Sequence, residues 1–217
     1  MIALLRYVGR DTLRSQRWVA PLLCFGAIDA IIGAQSGSVL PSYAIGAAAL
    51  LFITIWLTVV IVNNEDPIQQ SITEVCAGGS QTKVRISKLG VSLLIAVSLG
   101  VLGMIAPTVT STSETTIKEV IAGISAQIVT AMVGVTFGAL CSRPIIRRKS
   151  WSVLFGVLLG MATVLIPHGP PTRQLLVLFN ETGHIALGPP VLLVGLETLL
   201  LTGIALTWSL RLARQRS

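Results

Sequence analysis

Six apolar stretches, near Trp18–Ala34, Tyr43–Val62, Leu89–Ala106, Val120–Leu140, Trp151–Pro167 and Pro190–Leu210, take up more than half of this 217-residue chain. Each approaches the ~17–25 residues that an α-helix needs to cross ~30 Å of hydrocarbon. In lipid a segment must satisfy its own backbone hydrogen bonds, so runs of this length read as spanning helices. The expected fold is all-α: a polytopic membrane protein with six transmembrane helices. Six spans place both ends of the chain on one side.

The basic residues choose that side. Of the sixteen Lys and Arg residues, fourteen fall before span one, after spans two and four, or after span six; only Lys118 and Arg173 fall on the alternate connections. Basic residues in short loops are held in the cytoplasm, so the termini and loops 2/3 and 4/5 are expected there, in a cell membrane. The net charge of +7 is thus a topology signal. No soluble domain offers a basic patch for nucleic acid. Cys24, Cys76 and Cys141 lack the paired spacing of disulfides or metal sites. Asp29 inside the first apolar run, together with the seventeen residues before it, favours a retained anchor over a cleaved signal peptide.

Two cytoplasmic segments carry pattern. Arg6, Arg10, Arg14 and Arg17 are spaced by four, four and three residues, which gathers them within roughly 80° of a helix. Met1, Leu4, Leu5 and Val8 lie opposite, while Leu13 interrupts the polar side. The pattern predicts a helix over 1–17 lying in the interface, with guanidinium groups at anionic headgroups and the apolar side in the acyl boundary. The second segment is the connection over 63–88. Asp66-Pro67 is a helix start, because the carboxylate can accept from free amides and Pro at the first position loses no bond. Ile68, Ile72 and Val75 then form a short apolar stripe, and Gly78-Gly79 stops the helix. A helix this short is marginal alone, so its stripe should be covered by a partner or by the bundle.

The basic amphipathic lead, the six spans, and the short helix Asp66–Gly79 followed by Lys83–Lys88 entering span three resemble the permease subunits of type-2 ATP-binding cassette (ABC) exporters. The resemblance covers nearly the whole chain and rests on layout and loop character. It implies that the lead is a connecting helix and that the loop 2/3 helix is a coupling helix seated in a separate cytoplasmic ATPase subunit. Glu65, Asp66, Ile68, Ile72, Glu74 and Val75 would then make that contact. ATP and Mg would be bound by the partner, not by this chain, and a second permease chain, identical or different, would complete the substrate path. The family also places short external helices between spans five and six, where Gln174–Leu187 is too short to cross and too apolar for open water. On this division 1–17 is the connecting helix, 18–62 spans 1–2, 63–88 the coupling loop, 89–140 spans 3–4, 141–150 a basic loop, 151–210 spans 5–6, and 211–217 a tail.

Inside the membrane, Asp29 and Glu197 are acids whose charge at the bilayer centre costs ~2.5–3.5 kcal/mol, so each should face a cavity, the bundle or an interface. Gly134 and Gly138, and Gly156 and Gly160, are spaced to let helices approach closely, and Gly26, Ala30 and Ala34 form a similar small strip. Trp18, Trp151 and Trp208 fall at cytoplasmic ends. The sequon Asn180-Glu181-Thr182 is read as chance in a bacterial chain. His168 and His184 lack a third ligand, and the chain holds no Walker sequence and no recognisable nucleophile or metal-hydrolase motif, so it is not expected to be an enzyme. Two other readings compete: the substrate-binding component of an energy-coupling-factor importer, which uses small-residue strips against its partner, and an ATP-independent accessory or immunity membrane protein.

Overall fold

The computed structural model describes residues 2–34, 39–111, 115–142 and 149–165, and beyond them Thr198, Leu200, Thr202, Gly203 and Thr207. The elements among these residues are all helices: α1 (Ile2–Arg14), α2 (Val19–Gly33), α3 (Val39–Val62), α4 (Pro67–Cys76), α5 (Gln81–Gly103), α6 (Ile105–Thr110), α7 (Ile117–Cys141) and α8 (Lys149–Leu165). Among the described residues three apolar rods are long enough to cross a membrane: α3, α5 continued by α6 as Gln81–Thr110, and α7. These correspond to the second, third and fourth of the predicted spans. The 15-residue α2 rises only about 22 Å at the α-helical 1.5 Å per residue, short of a hydrocarbon core. The apolar part of α8, Trp151–Leu165, is similarly short. The sixth predicted span falls largely outside the described residues, as do Gln174–Leu187, Glu197, Trp208, both histidines, and the arginines at 143, 147, 148, 173, 211, 214 and 216.

Span three begins earlier than its apolar run. Ser80 accepts from the Lys83 amide at the start of α5, and the helix then carries Lys83, Arg85 and Lys88 within it rather than in a loop. At the other end the rod breaks at Met104. Pro107 cannot donate to the Gly103 carbonyl four residues back and its ring crowds that group, so regular helix stops at Gly103 and resumes at Ile105.

The central element is α3. Fifteen of its 24 residues are buried, Leu50, Leu51, Ile55 and Leu57 almost completely. It touches α2, α5, α7 and α8. Glycine makes two of these approaches possible. A Cβ on Gly134 would lie 2.8 Å from Thr54 Cβ, and one on Gly138 would lie 2.5 Å from Thr58 Cβ and 3.0 Å from the Ile55 carbonyl oxygen. From another side α8 brings Gly156 to 2.5 Å from Ile55 Cγ2 and Gly160 to 3.1 Å from Phe52 Cε1 by the same construction. Both glycine pairs read from spacing therefore seat on the same helix. The third small strip differs: Gly26, Ala30 and Ala34 face outward, with nothing within 4 Å of a Cβ built on Gly26.

Outer faces are apolar. Leu23 and Ile31 on α2, Leu94 and Leu102 on α5, and Leu154, Phe155 and Leu158 on α8 are all exposed. Large apolar side chains exposed on three helices suit lipid, not water.

Candidate functional site

At the arginine-bearing end of the bundle the chain leaves α3 after Val62, and the next four residues form the root of α4. Asn63 and Glu65 are buried there, while Asp66 is exposed and extended. Pro67 takes the first helical position as predicted, but the Asp66 carboxylate makes no capping hydrogen bond, so the start rests on proline and not on the acid. The end follows the sequence closely: Gly78 and Gly79 take positive φ values of 77° and 71°, and the Gly79 amide donates to the Glu74 carbonyl at 2.9 Å. That is a left-handed stop which a side chain would strain.

The faces of α4 are inverted relative to a helix covering its own bundle. Thr73 is buried against the body, whereas Ile68, Ile72 and Val75 are 78%, 60% and 75% exposed. Glu74 is half-buried and its Oε1 accepts from Gln70 Nε2 at 2.9 Å. The stripe is therefore uncovered among the described residues.

Glu65 does not join that stripe. Its Oε2 lies 2.8 Å from Lys88 Nζ with both side chains inaccessible, so the residue expected at a partner contact is instead an internal tether between the root of α4 and α5. One turn earlier on α5, the buried Arg85 donates through Nη2 to the Ala139 carbonyl at 3.1 Å, and Ser142 Oγ donates to the same oxygen at 2.8 Å. Both donors satisfy a carbonyl that the end of α7 would otherwise leave unpaired. The sequence places Lys88 and Arg85 in a loop; the structure makes them struts. The signal was present in Val84, Ser87, Lys88, Val91 and Ser92, whose spacing carries the buried face of α5 past the end of its apolar run.

The same root reaches α1. Asn64 Nδ2 donates to Asp11 Oδ2 at 2.7 Å, and Gln69 Nε2 donates to the Tyr7 hydroxyl at 3.3 Å. The body side of α1 is Leu5, Val8 and Thr12: Val8 packs with Leu57, Ile61 and Val91, and Leu5 reaches Gly90. This corrects the expected placement, because Leu5 and Val8 lie on the bundle and not in the acyl boundary. Burying Val8 contributes about 2 kcal/mol to that docking. Arg6, Arg10, Arg14 and Arg17 are exposed, with no ion pair among the described residues. After Arg14 the chain turns through Gln16 at φ 53°, and Trp18 Nε1 donates to the Leu13 carbonyl at 3.2 Å.

Asp29 is half-buried near the far end of α2, beside Gly103, where a Cβ would come within 3.3 Å of its Oδ1. It is not brought together with another acid among the described residues. Gln127, which no motif or spacing in the sequence singles out, is a buried amide on α7 held between Gly46 of α3 and Gly100 of α5, and its Oε1 has no hydrogen-bond partner among the described residues. No group of three or more His, Cys, Asp or Glu residues able to hold a metal occurs among the described residues. No family model, curated protein or solved structure matches the chain.

Proposed function

We propose that this chain is the transmembrane permease subunit of an ATP-binding cassette exporter, with six spans, cytoplasmic termini, and α4 as the coupling helix to a separate ATPase subunit. One observation carries the reading: a short helix rooted in a polar tether presents Ile68, Ile72 and Val75 outward while burying Thr73. An apolar stripe of three residues at helical spacing suits a cleft on a partner, and helices recognised in this way dock through such anchors. The tethers supply the second half of a coupling device, since force on α4 reaches α5 through Glu65–Lys88 and α7 through Arg85–Ala139. Substrate would pass between two permease chains, because glycine contacts close α3, α7 and α8 against one another.

A second reading draws on a different surface. The outward strip Gly26, Ala30 and Ala34 suits the small-residue docking face of an importer's substrate-binding component. Purification in mild detergent distinguishes these readings, with mass spectrometry of retained partners and an ATPase assay. An ATP-binding subunit that is retained by the native chain and lost on Ile72→Asp supports the exporter reading. Loss on Ala30→Leu with Ile72→Asp silent moves the function to the importer class. A chain that retains no nucleotide-binding partner is an accessory protein.

A further inference from the structure

We infer that the outer side of α1 is a binding surface for anionic phospholipid, and that lipid bound there sets the position of α4 through the Asp11–Asn64 and Tyr7–Gln69 contacts. The inference rests on placement of the bundle in a membrane and does not require an ATPase partner.

Depth comes first. Val8 packs against Leu57 and Ile61, which lie within about two turns of the end of α3 at Val62, so α1 sits level with the last turns of a spanning helix. That is the boundary between acyl chains and headgroups. Orientation follows from the contacts. Tyr7 and Asp11 point toward Gln69 and Asn64, which lie beyond the end of α3 and so on the water side. Across the helix from them, at about 100° per residue, stand Ile2 and Leu13. These two are 83% and 60% exposed, and their flank faces the bilayer. Leu13, an interruption of the polar face in the sequence, thus becomes half of an apolar pair able to enter the acyl boundary.

Between the two flanks, opposite the body-facing Val8 and Thr12, project Arg6, Arg10 and Arg14. Their guanidinium groups stand at headgroup level without a carboxylate partner among the described residues, which is the chemistry that phosphate diesters satisfy. Zwitterionic headgroups supply the phosphate but cancel its charge. An anionic headgroup leaves it, and each arginine near such a surface favours binding about five-fold.

The link to α4 is short. Asn63, Asn64 and Glu65 are consecutive, and Asn64 holds α1 while Glu65 holds α5. A lipid that pins α1 in the interface therefore pins the root from which α4 projects.

The test uses the full chain in nanodiscs of phosphatidylcholine, with or without phosphatidylglycerol. Native mass spectrometry reads retained phosphatidylglycerol, and hydrogen exchange reads the amides of 68–76. The expected result is retained phosphatidylglycerol and slower α4 exchange when it is present. The combined change Arg6→Gln, Arg10→Gln and Arg14→Gln should weaken retention on the order of a hundred-fold and make α4 exchange the same in both lipids. Asn64→Ala should keep the lipid and lose the effect on α4, and thermal unfolding of each variant in detergent reports that it is folded. Retention unchanged in the triple variant overturns the binding surface. Exchange at α4 that ignores phosphatidylglycerol overturns the link, and protection of α1 only by a retained cytoplasmic protein assigns the arginines to that protein instead.

Discussion

Glu65 Oε2 and Lys88 Nζ lie 2.8 Å apart with 2% and 5% of their side chains accessible, which makes the junction of α3 and α4 depend on a desolvated ion pair. Breaking such a pair by removing one member leaves an uncompensated buried charge, a loss of about 3–5 kcal/mol. Lys88→Met alone should therefore lower thermal stability in detergent strongly. Glu65→Leu with Lys88→Leu should recover most of it, because the desolvation penalty disappears with the pair. If the double variant is as unstable as the single one, the pair does not act as a unit. Under the proposed permease function, recovered stability without recovered transport would separate a coupling role of the tether from its structural one.

The contrast between Gly138 and Gly26 is a second test. A methyl at Gly138 meets Thr58 and the Ile55 backbone at 2.5 and 3.0 Å, so Gly138→Ala must push α7 from α3 at a cost of about 1–3 kcal/mol. A methyl at Gly26 meets nothing within 4 Å, and Gly26→Ala should be neutral or slightly stabilising through helix propensity. Equal losses at both positions would mean that α2 is covered by another chain in the assembled protein. Unfolding curves of the two variants, in the presence and absence of partners, decide this.

How far the residues alone carried the fold varies by element. The bounds of α4 were legible because Pro67 and the Gly78-Gly79 pair act locally, and the glycine contacts were legible because spacing fixes which face they share. The roles of Glu65, Arg85 and Lys88 were not, because a cation in a short loop and a cation buried at a helix start give the same topology signal. The spacing on α5 marks that side as buried, and the distant partners, Glu65 for Lys88 and the Ala139 carbonyl for Arg85, fix what the cations do. The burial of Leu5 and Val8 was hidden for a related reason. An amphipathic helix shows which side is apolar, not whether lipid or protein covers it.

Gln127 tests whether a buried amide is structural or used. Its Oε1, beside Gly100, has no partner among the described residues, and an orphaned buried group costs about 1–3 kcal/mol. Gln127→Met keeps the length and removes the orphan, so the variant should be more stable by about 1 kcal/mol in denaturant or thermal unfolding. Under the proposed permease function, lost transport in a stabilised protein would assign Gln127 a role on the substrate path, and normal transport would leave the amide without one.

The cysteines report topology without introducing new chemistry. Cys76 is exposed at the end of α4, Cys141 is buried, and Cys24 is exposed on the apolar outer surface of α2. If the arginine-bearing end is cytoplasmic, a membrane-impermeant maleimide should leave Cys76 unmodified in intact cells and label it in inverted vesicles. Cys24 should stay unmodified in both, since its surroundings hold no water to support the thiolate. A cysteine placed at Lys118, which is exposed at the opposite end, should show the reverse pattern to Cys76. Labelling of Cys76 from outside intact cells would invert the topology and remove α4 from reach of any cytoplasmic ATPase. Labelling of both Cys76 and the Lys118→Cys site from one side would show that α5 with α6 does not carry the chain across the membrane between them.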